Sequence, residues 1–139
     1  MPIAREGSGD DLSRQTAAAA AIKSQGCITC HAGVGDMHRS PNVHLGCTDC
    51  HGGDASALTK QAAHVHPKEA ESWPSSANPV RSYTLLNHES PEFIRFVNPG
   101  DLRVAQEACG SCHASIVLQV RKSMMTHGCM LWGAALYNN

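Results

Sequence analysis

Large apolar side chains are what this chain of 139 residues has least of. It holds two Phe, two Trp and two Tyr, an aromatic share of only 4%. Much of its 42% hydrophobic share is alanine, including the run Ala17 to Ala21. Alanine removes little area from water, so it contributes little to a core. A chain of single-domain size built this way needs another source of cohesion. Small scaffolds find it in disulfides, metals or cofactors.

Other absences narrow the classes. Eleven basic and twelve acidic side chains give a net charge of −1. There is no Lys/Arg run or basic patch, which argues against nucleic acid as a partner. No stretch approaches the roughly 18 apolar residues of a membrane-spanning helix. Residues 1–26 carry Asp10, Asp11 and Arg14 where a signal peptide would need an apolar centre. The sequence therefore reads as a mature form or an excised fragment. Strand-like alternation is missing throughout.

Seven Cys and nine His are what the chain does have. Six of the cysteines fall in three copies of Cys-x-x-Cys-His. These are Cys27-Ile28-Thr29-Cys30-His31, Cys47-Thr48-Asp49-Cys50-His51 and Cys109-Gly110-Ser111-Cys112-His113. This pattern is the attachment signature of c-type haem. Cysteines three apart lie about one helical turn apart on one side of the backbone, placed to bond the two vinyl groups of one porphyrin. The next residue then offers its imidazole to the iron from the proximal face. The competing reading is zinc, because the first two motifs also fit a Cys₂–Cys₂ ribbon. Against it, a His follows every CxxC, a coincidence of order 10⁻⁴ by composition alone. The third CxxC would also lack a partner pair. We therefore expect three haem c groups, with His31, His51 and His113 as proximal ligands.

Six His remain: His38, His44, His64, His66, His88 and His127. Three irons need at most three more ligands, so bis-His ligation is available by count. Methionine ligation through Met37, Met124, Met125 or Met130 is the alternative. The distal ligands expected are His38, His64 and His127, with His44 in reserve. His38 follows His31 by seven residues in a tight loop, so it suits a neighbouring haem better than its own. His64 falls in an expected helix that would fix its orientation. His127 lies about 20 Å from His113 along a straight helix, so it suits another haem.

The rest of the pattern is helix and loop. Residues 1–10 read as a flexible lead-in. Asp10 or Asp11 can cap a helix through the alanines to about Gln25, with Gly26 at its end. Residues 31–46 read as loop. Ser56 can cap a helix to about His66, stopped by Pro67. The Pro-rich stretch 67–90 is irregular. Ser90-Pro91-Glu92 is an N-cap, N1 proline and acidic first turn, opening a helix to Val97. Asp101 can cap another to Ala108. His113, Ile116, Val117, Val120 and Met124 share one face of a third, which Gly128 would break. Met130 to Tyr137 could add a last turn or two. The expected fold is a single trihaem domain over 1–139. It is mainly α with extensive irregular loops, its short helices wrapped around three covalently bound haems, without a conventional hydrophobic core. Trp73, Trp132, Phe93, Phe96 and Ile116 are expected on porphyrin faces, and Arg39, Arg81 and Arg103 against propionates. Cys129, outside the motifs, reads as a small buried residue or an interchain disulfide.

Three stretches carry a family resemblance: Gly46 to Gly53, Phe93 to Ala105, and Met130 to Asn139. With the haem motifs they make residues 20–139 resemble a segment of the large multihaem c-type cytochromes of metal-respiring and related anaerobic bacteria. That resemblance implies electron transfer through stacked, mostly bis-His haems. Covalent haem attachment follows export, so the expected location is periplasmic or extracellular. Redox proteins, other multihaem cytochromes, or copies of the chain in an oligomer or filament are the expected partners. The alternative is a haem-containing reductase subunit with one open iron, which needs acid or base groups beside it. With no atypical motif and enough His to close every iron, the chain is expected to be a carrier rather than an enzyme.

Overall fold

The computed structural model describes residues 11–73 and 88–124, together with Thr126 and Gly128. Helices, turns and loops make up these residues, with no strand among them. Asp11 opens the chain by accepting a bond from Ser13 N at 3.1 Å, which sets a 3-10 turn over Leu12–Arg14. Thr16 then caps helix α1 (Ala17–Ile22), its hydroxyl accepting from Ala19 N. Alanine is the best helix former, but six residues are too few to persist alone, and burial of Ala20 helps to hold this helix.

Helix α1 stops earlier than its composition suggests. Ser24 donates back to the Ala20 carbonyl at 3.1 Å and accepts Cys47 N at 2.9 Å. That hydroxyl ends one helix and holds the start of another. Gly26, expected to stop the alanine helix, instead lies inside α2 (Gln25–Cys30). Its N–H donates to the Ala55 carbonyl at 2.7 Å. A Cβ there would lie 2.5 Å from that same oxygen, so glycine serves close approach rather than termination.

Helix α3 (Cys47–His51) is the hub. Its Thr48 N bonds the Lys23 carbonyl, and Asp49 takes bonds from Lys23 Nζ at 2.8 Å and Gln15 Nε2 at 2.6 Å. On its other side it packs against α5 (Pro91–Val97) and α6 (Ala105–Arg121). Arg95 of α5 fastens that contact, donating to the Cys50 and Asp49 carbonyls at 2.8 and 2.6 Å.

Helix α4 is shorter than expected, Lys60–Ala63, and its cap is Thr59. Ser56 is taken up in a turn with Asp54, whose carboxylate accepts its N–H at 2.8 Å. His64 therefore stands just past the helix, in extended backbone, rather than within it. The α5 start matches expectation: Ser90 accepts Phe93 N, and Pro91 occupies the first turn. The two helices expected from Asp101 onward are one element, α6, bent at His113 (φ −112°, ψ 32°). Gly128 is itself helical, not a break.

A small core sits where α5 and α6 meet. Phe93 and Val104 are fully buried, with Ile94, Ala105, Ala108 and Val117 around them. Trp73 meets Phe93 edge to face, 4.8 Å between centroids. This pair was expected on porphyrin faces. It packs on itself because Trp73 Nε1 is drawn 2.9 Å from buried Glu89. Of the expected apolar stripe on α6, Val117 is buried, whereas Ile116 and Met124 are 54% and 62% exposed. Arg103, expected on a propionate, forks onto Asp101 instead, its Nη2 at 2.7 Å. Arg81, Cys129 and Trp132 lie outside the described residues. None of the described helices is long and apolar enough to cross a membrane.

Two stability predictions follow from these contacts. Glu89 accepts Lys68 N, Glu69 N and Trp73 Nε1. Glu89→Ala would leave these donors with no acceptor, at a cost of about 2–4 kcal/mol in denaturant unfolding of the loaded protein. Glu89→Gln, which keeps one acceptor oxygen, should cost less. Asp101 titrates below its ordinary 3.8, chiefly because Arg103 bonds its carboxylate. A depressed folded pKa means that its stabilisation is complete above the unfolded pKa and fades as pH falls through the folded one. Asp101→Asn should therefore lower the melting temperature at neutral pH and converge with the parent as pH falls through the folded pKa of Asp101.

Candidate functional site

Each Cys-x-x-Cys-His segment is carried by a helix, and each imidazole stands at or near the point where its helix ends or bends. In the first, α2 ends at Cys30 and His31 turns out of it at φ −101°, ψ 54°. In the third, His113 adopts a similar conformation, φ −112°, ψ 32°, at the bend of α6. In the second, His51 is the last residue of α3 and Gly52 leaves with a positive φ of 69°. The helical turn puts both cysteines of a motif on one side, and the change of direction swings the imidazole clear of them.

The three motifs are close together. Burial raises the Cys27 thiol pKa first, and neighbouring Cys47 adds to it. Burial also raises Cys50, with Cys109, Asp49 and Asp36 contributing next. The second motif thus has one cysteine beside the first motif and the other beside the third.

Two histidines from elsewhere meet the motif histidines. The rings of His31 and His64 lie 6.2 Å apart between centroids, 22° from parallel. Those of His38 and His113 lie 6.3 Å apart and 8° from parallel. Face-to-face contact needs atoms at about 3.5–4 Å, so parallel rings this far apart do not touch face to face. The spacing is that of two imidazoles on one metal ion. Imidazole nitrogen binds a transition metal at about 2.0–2.1 Å, and the ring centre lies about 1.1 Å further out, so two rings on one ion stand about 6.3 Å apart.

Second contacts fix which ring nitrogen is free. His38 Nδ1 is 3.0 Å from Asp36 Oδ1, and His51 Nδ1 is 2.7 Å from the Phe96 carbonyl. A ring nitrogen donating in this way leaves Nε2 as the lone-pair donor, the usual arrangement behind a metal ligand. His64 is held below its ordinary pKa of 6.5 by burial first, then by Lys60, His31 and His66. Burial thus favours its neutral form, the state that ligation requires. His66 is engaged through Nε2 with the Gln61 carbonyl at 2.7 Å, and His88 is exposed. His44 contributes its carbonyl, which accepts Gln15 Nε2 at 2.9 Å.

The His31–His64 pair lines a cavity of about 570 Å³. That is within the roughly 300–1,000 Å³ of small-molecule and cofactor sites. Cys27, Cys30, Cys47, His51 and Phe96 also line it, and Ile28, Val34 and Leu58 complete the apolar part. These three are 46%, 65% and 93% exposed. A flat apolar group held between the two imidazoles would cover them. Phe96 lines the same cavity, its ring centroid 4.9 Å from that of His64.

The donor set fits haem better than zinc. Among the described residues no three His, Cys, Asp or Glu side chains converge as a tetrahedral ion would require. The residues supply imidazoles in nearly parallel pairs, and Cys27, Cys30 and Cys47 line the cavity beside one of them. Among the described residues, no second imidazole stands at the metal-spanning distance from His51, whose ring meets Phe96 edge-on at 6.4 Å. His127 lies outside the described residues. Asp36, Arg95 and the Phe96 carbonyl are partners that sequence reasoning missed. Asp36 alone had a signal, an aspartate two residues ahead of a candidate ligand in a turn. No family model, curated protein or solved structure matches the chain.

Proposed function

We propose that the chain is a trihaem c-type cytochrome that transfers electrons outside the cytoplasm. The observation that carries this reading is the spacing of His31 from His64 and of His38 from His113, 6.2 and 6.3 Å. Each pair joins a Cys-x-x-Cys-His imidazole to one from a loop, at the distance two axial ligands keep across an iron. Bound haem supplies the ferric/ferrous couple.

The residues divide into three sets. Cys27 and Cys30 hold the first haem, with His31 and His64 as its axial pair. Cys109 and Cys112 hold the third, with His113 and His38. Cys47 and Cys50 hold the second on His51, and His127 is retained as its distal ligand with His44 in reserve. His38 serves a haem other than the one its own loop follows, as its short separation from His31 suggests. The loop 31–46 therefore ties the first site to the third, while α3 lies against both.

Closed axial positions favour carrying over catalysis. An imidazole on each side of an iron leaves no position for a substrate, and it keeps the iron's surroundings similar in both oxidation states. Redox proteins, other multihaem cytochromes or further copies of this chain are the partners such an array would serve. Resemblance to the metal-respiring cytochromes supports the same class, and covalent attachment supports a periplasmic or extracellular location.

The test is optical. Purified protein should contain three haems per chain and show low-spin bands that ignore carbon monoxide when reduced. His64→Ala and His38→Ala should each make about one third of the haem reactive to carbon monoxide. A colourless protein would overturn the proposal and return the motifs to zinc. Carbon monoxide binding by a third of the unmodified protein would instead point to an open iron at His51 and a reductase.

A further inference from the structure

His38 differs from the other candidate ligands in what stands behind it. Its Nδ1 is 3.0 Å from the Asp36 carboxylate, and His51 Nδ1 meets a neutral backbone carbonyl. Among the described residues, His38 is the one imidazole paired with a carboxylate. Asp36 is also firmly placed. Its Oδ1 accepts the His38 N–H at 2.9 Å and its Oδ2 accepts the Leu45 N–H at 3.3 Å. The carboxylate is thus fixed to the ring by the backbone at both ends of the loop. It is near enough to Cys50 to contribute to that thiol's raised pKa.

A negative charge on the far nitrogen of an axial imidazole strengthens its donation to the metal. Stronger donation and a nearby negative charge both favour ferric over ferrous iron. A neutral carbonyl polarises its ring less. The three sites therefore differ in what lies behind their axial ligands, although they share one attachment motif.

We propose that Asp36, acting through His38 as a positioning and charge-donating residue, makes the His38–His113 haem the lowest-potential member of the array. This rests on the trihaem reading above. An electron entering the chain would then rest on the first or second haem, and the third would be the last reduced. The array has a direction set by one side chain.

Spectroelectrochemical titration of the haem-loaded protein tests this, with haem content and the low-spin spectrum checked first in each sample. Fewer than three haems in the unmodified protein would refute the trihaem reading itself. With three present, Asp36→Asn should move one of the three one-electron waves, the lowest, to higher potential and leave the other two in place. The expected size is about tenfold in the ferric/ferrous equilibrium, or about 59 mV. The amide oxygen of Asn can still accept the His38 N–H, the shorter of the two backbone bonds, while the Leu45 N–H loses its acceptor, so the near end of the turn is retained. Unchanged waves, or three waves moving together, would overturn the proposal. His38→Met identifies the site independently, since a thioether ligand raises the potential of its own iron. The wave that leaves should be the lowest; loss of either higher wave would overturn the assignment.

Discussion

The separation of paired imidazoles governs how the rest of this molecule is arranged. Two imidazole rings held nearly parallel at 6.2–6.3 Å gain little from each other. Ordering them costs side-chain and backbone entropy that such a distant contact does not offset. The chain nevertheless does this twice, using four different segments. His64 is placed by the end of α4, His38 by a turn built on Asp36, and the motif histidines by changes of helix direction. When unrelated local devices converge on one distance, a shared external requirement is the economical explanation. An ion of fixed bond length would provide it.

Meeting that requirement explains otherwise odd local choices. Helix α3 has only five residues, too short to persist alone. It is held by Ser24, Lys23 and Gln15 on one side and by Arg95 on the other. Most of these bonds run to backbone groups or to Asp49 inside the motif. The second Cys-x-x-Cys-His is thereby fixed relative to the helices that carry the other two. Gly26 belongs to the same logic: α2 must approach residue 55 closely, and any side chain would collide with that carbonyl.

Much of this was legible in residue types and spacing. Three repeats of a five-residue motif and the surplus of histidine singled out side chains that the fold brings into pairs. The Ser90-Pro91-Glu92 helix start was legible too, because its cap is a local interaction that needs no tertiary partner. What was not legible depended on distant parts of the chain. The alanine helix ends at Ile22 because Ser24 is recruited by Cys47, twenty-three residues away. Thr59 displaces Ser56 as a cap because Asp54 already holds that serine. Trp73 and Phe93 pair with each other because Glu89 supplies a buried acceptor for the indole, a partner no periodicity could reveal. The helix expected to carry His64 stops at Ala63, so that its constraint is an extended cap position and the Phe96 ring.

The proposed ligation also answers the question of cohesion that the composition raises. The protein core is a handful of residues around Phe93 and Val104, while Leu58, Val34 and Ile28 face a cavity. Such a chain buries too little apolar area to offset its ordering entropy comfortably. An iron between His31 and His64, or between His38 and His113, would join residues thirty-three and seventy-five apart in sequence. In the chain-entropy treatment of cross-links, closing loops of that size is worth about 4 kcal/mol each. Both closures act on the unfolded state, and cofactor contact with the exposed apolar side chains would add in the folded one. Binding and folding would then be the same event, as in small metal-dependent domains. On this view the scarcity of large apolar side chains is a consequence of the histidine pairs, since the cofactors occupy the volume that those side chains would otherwise fill.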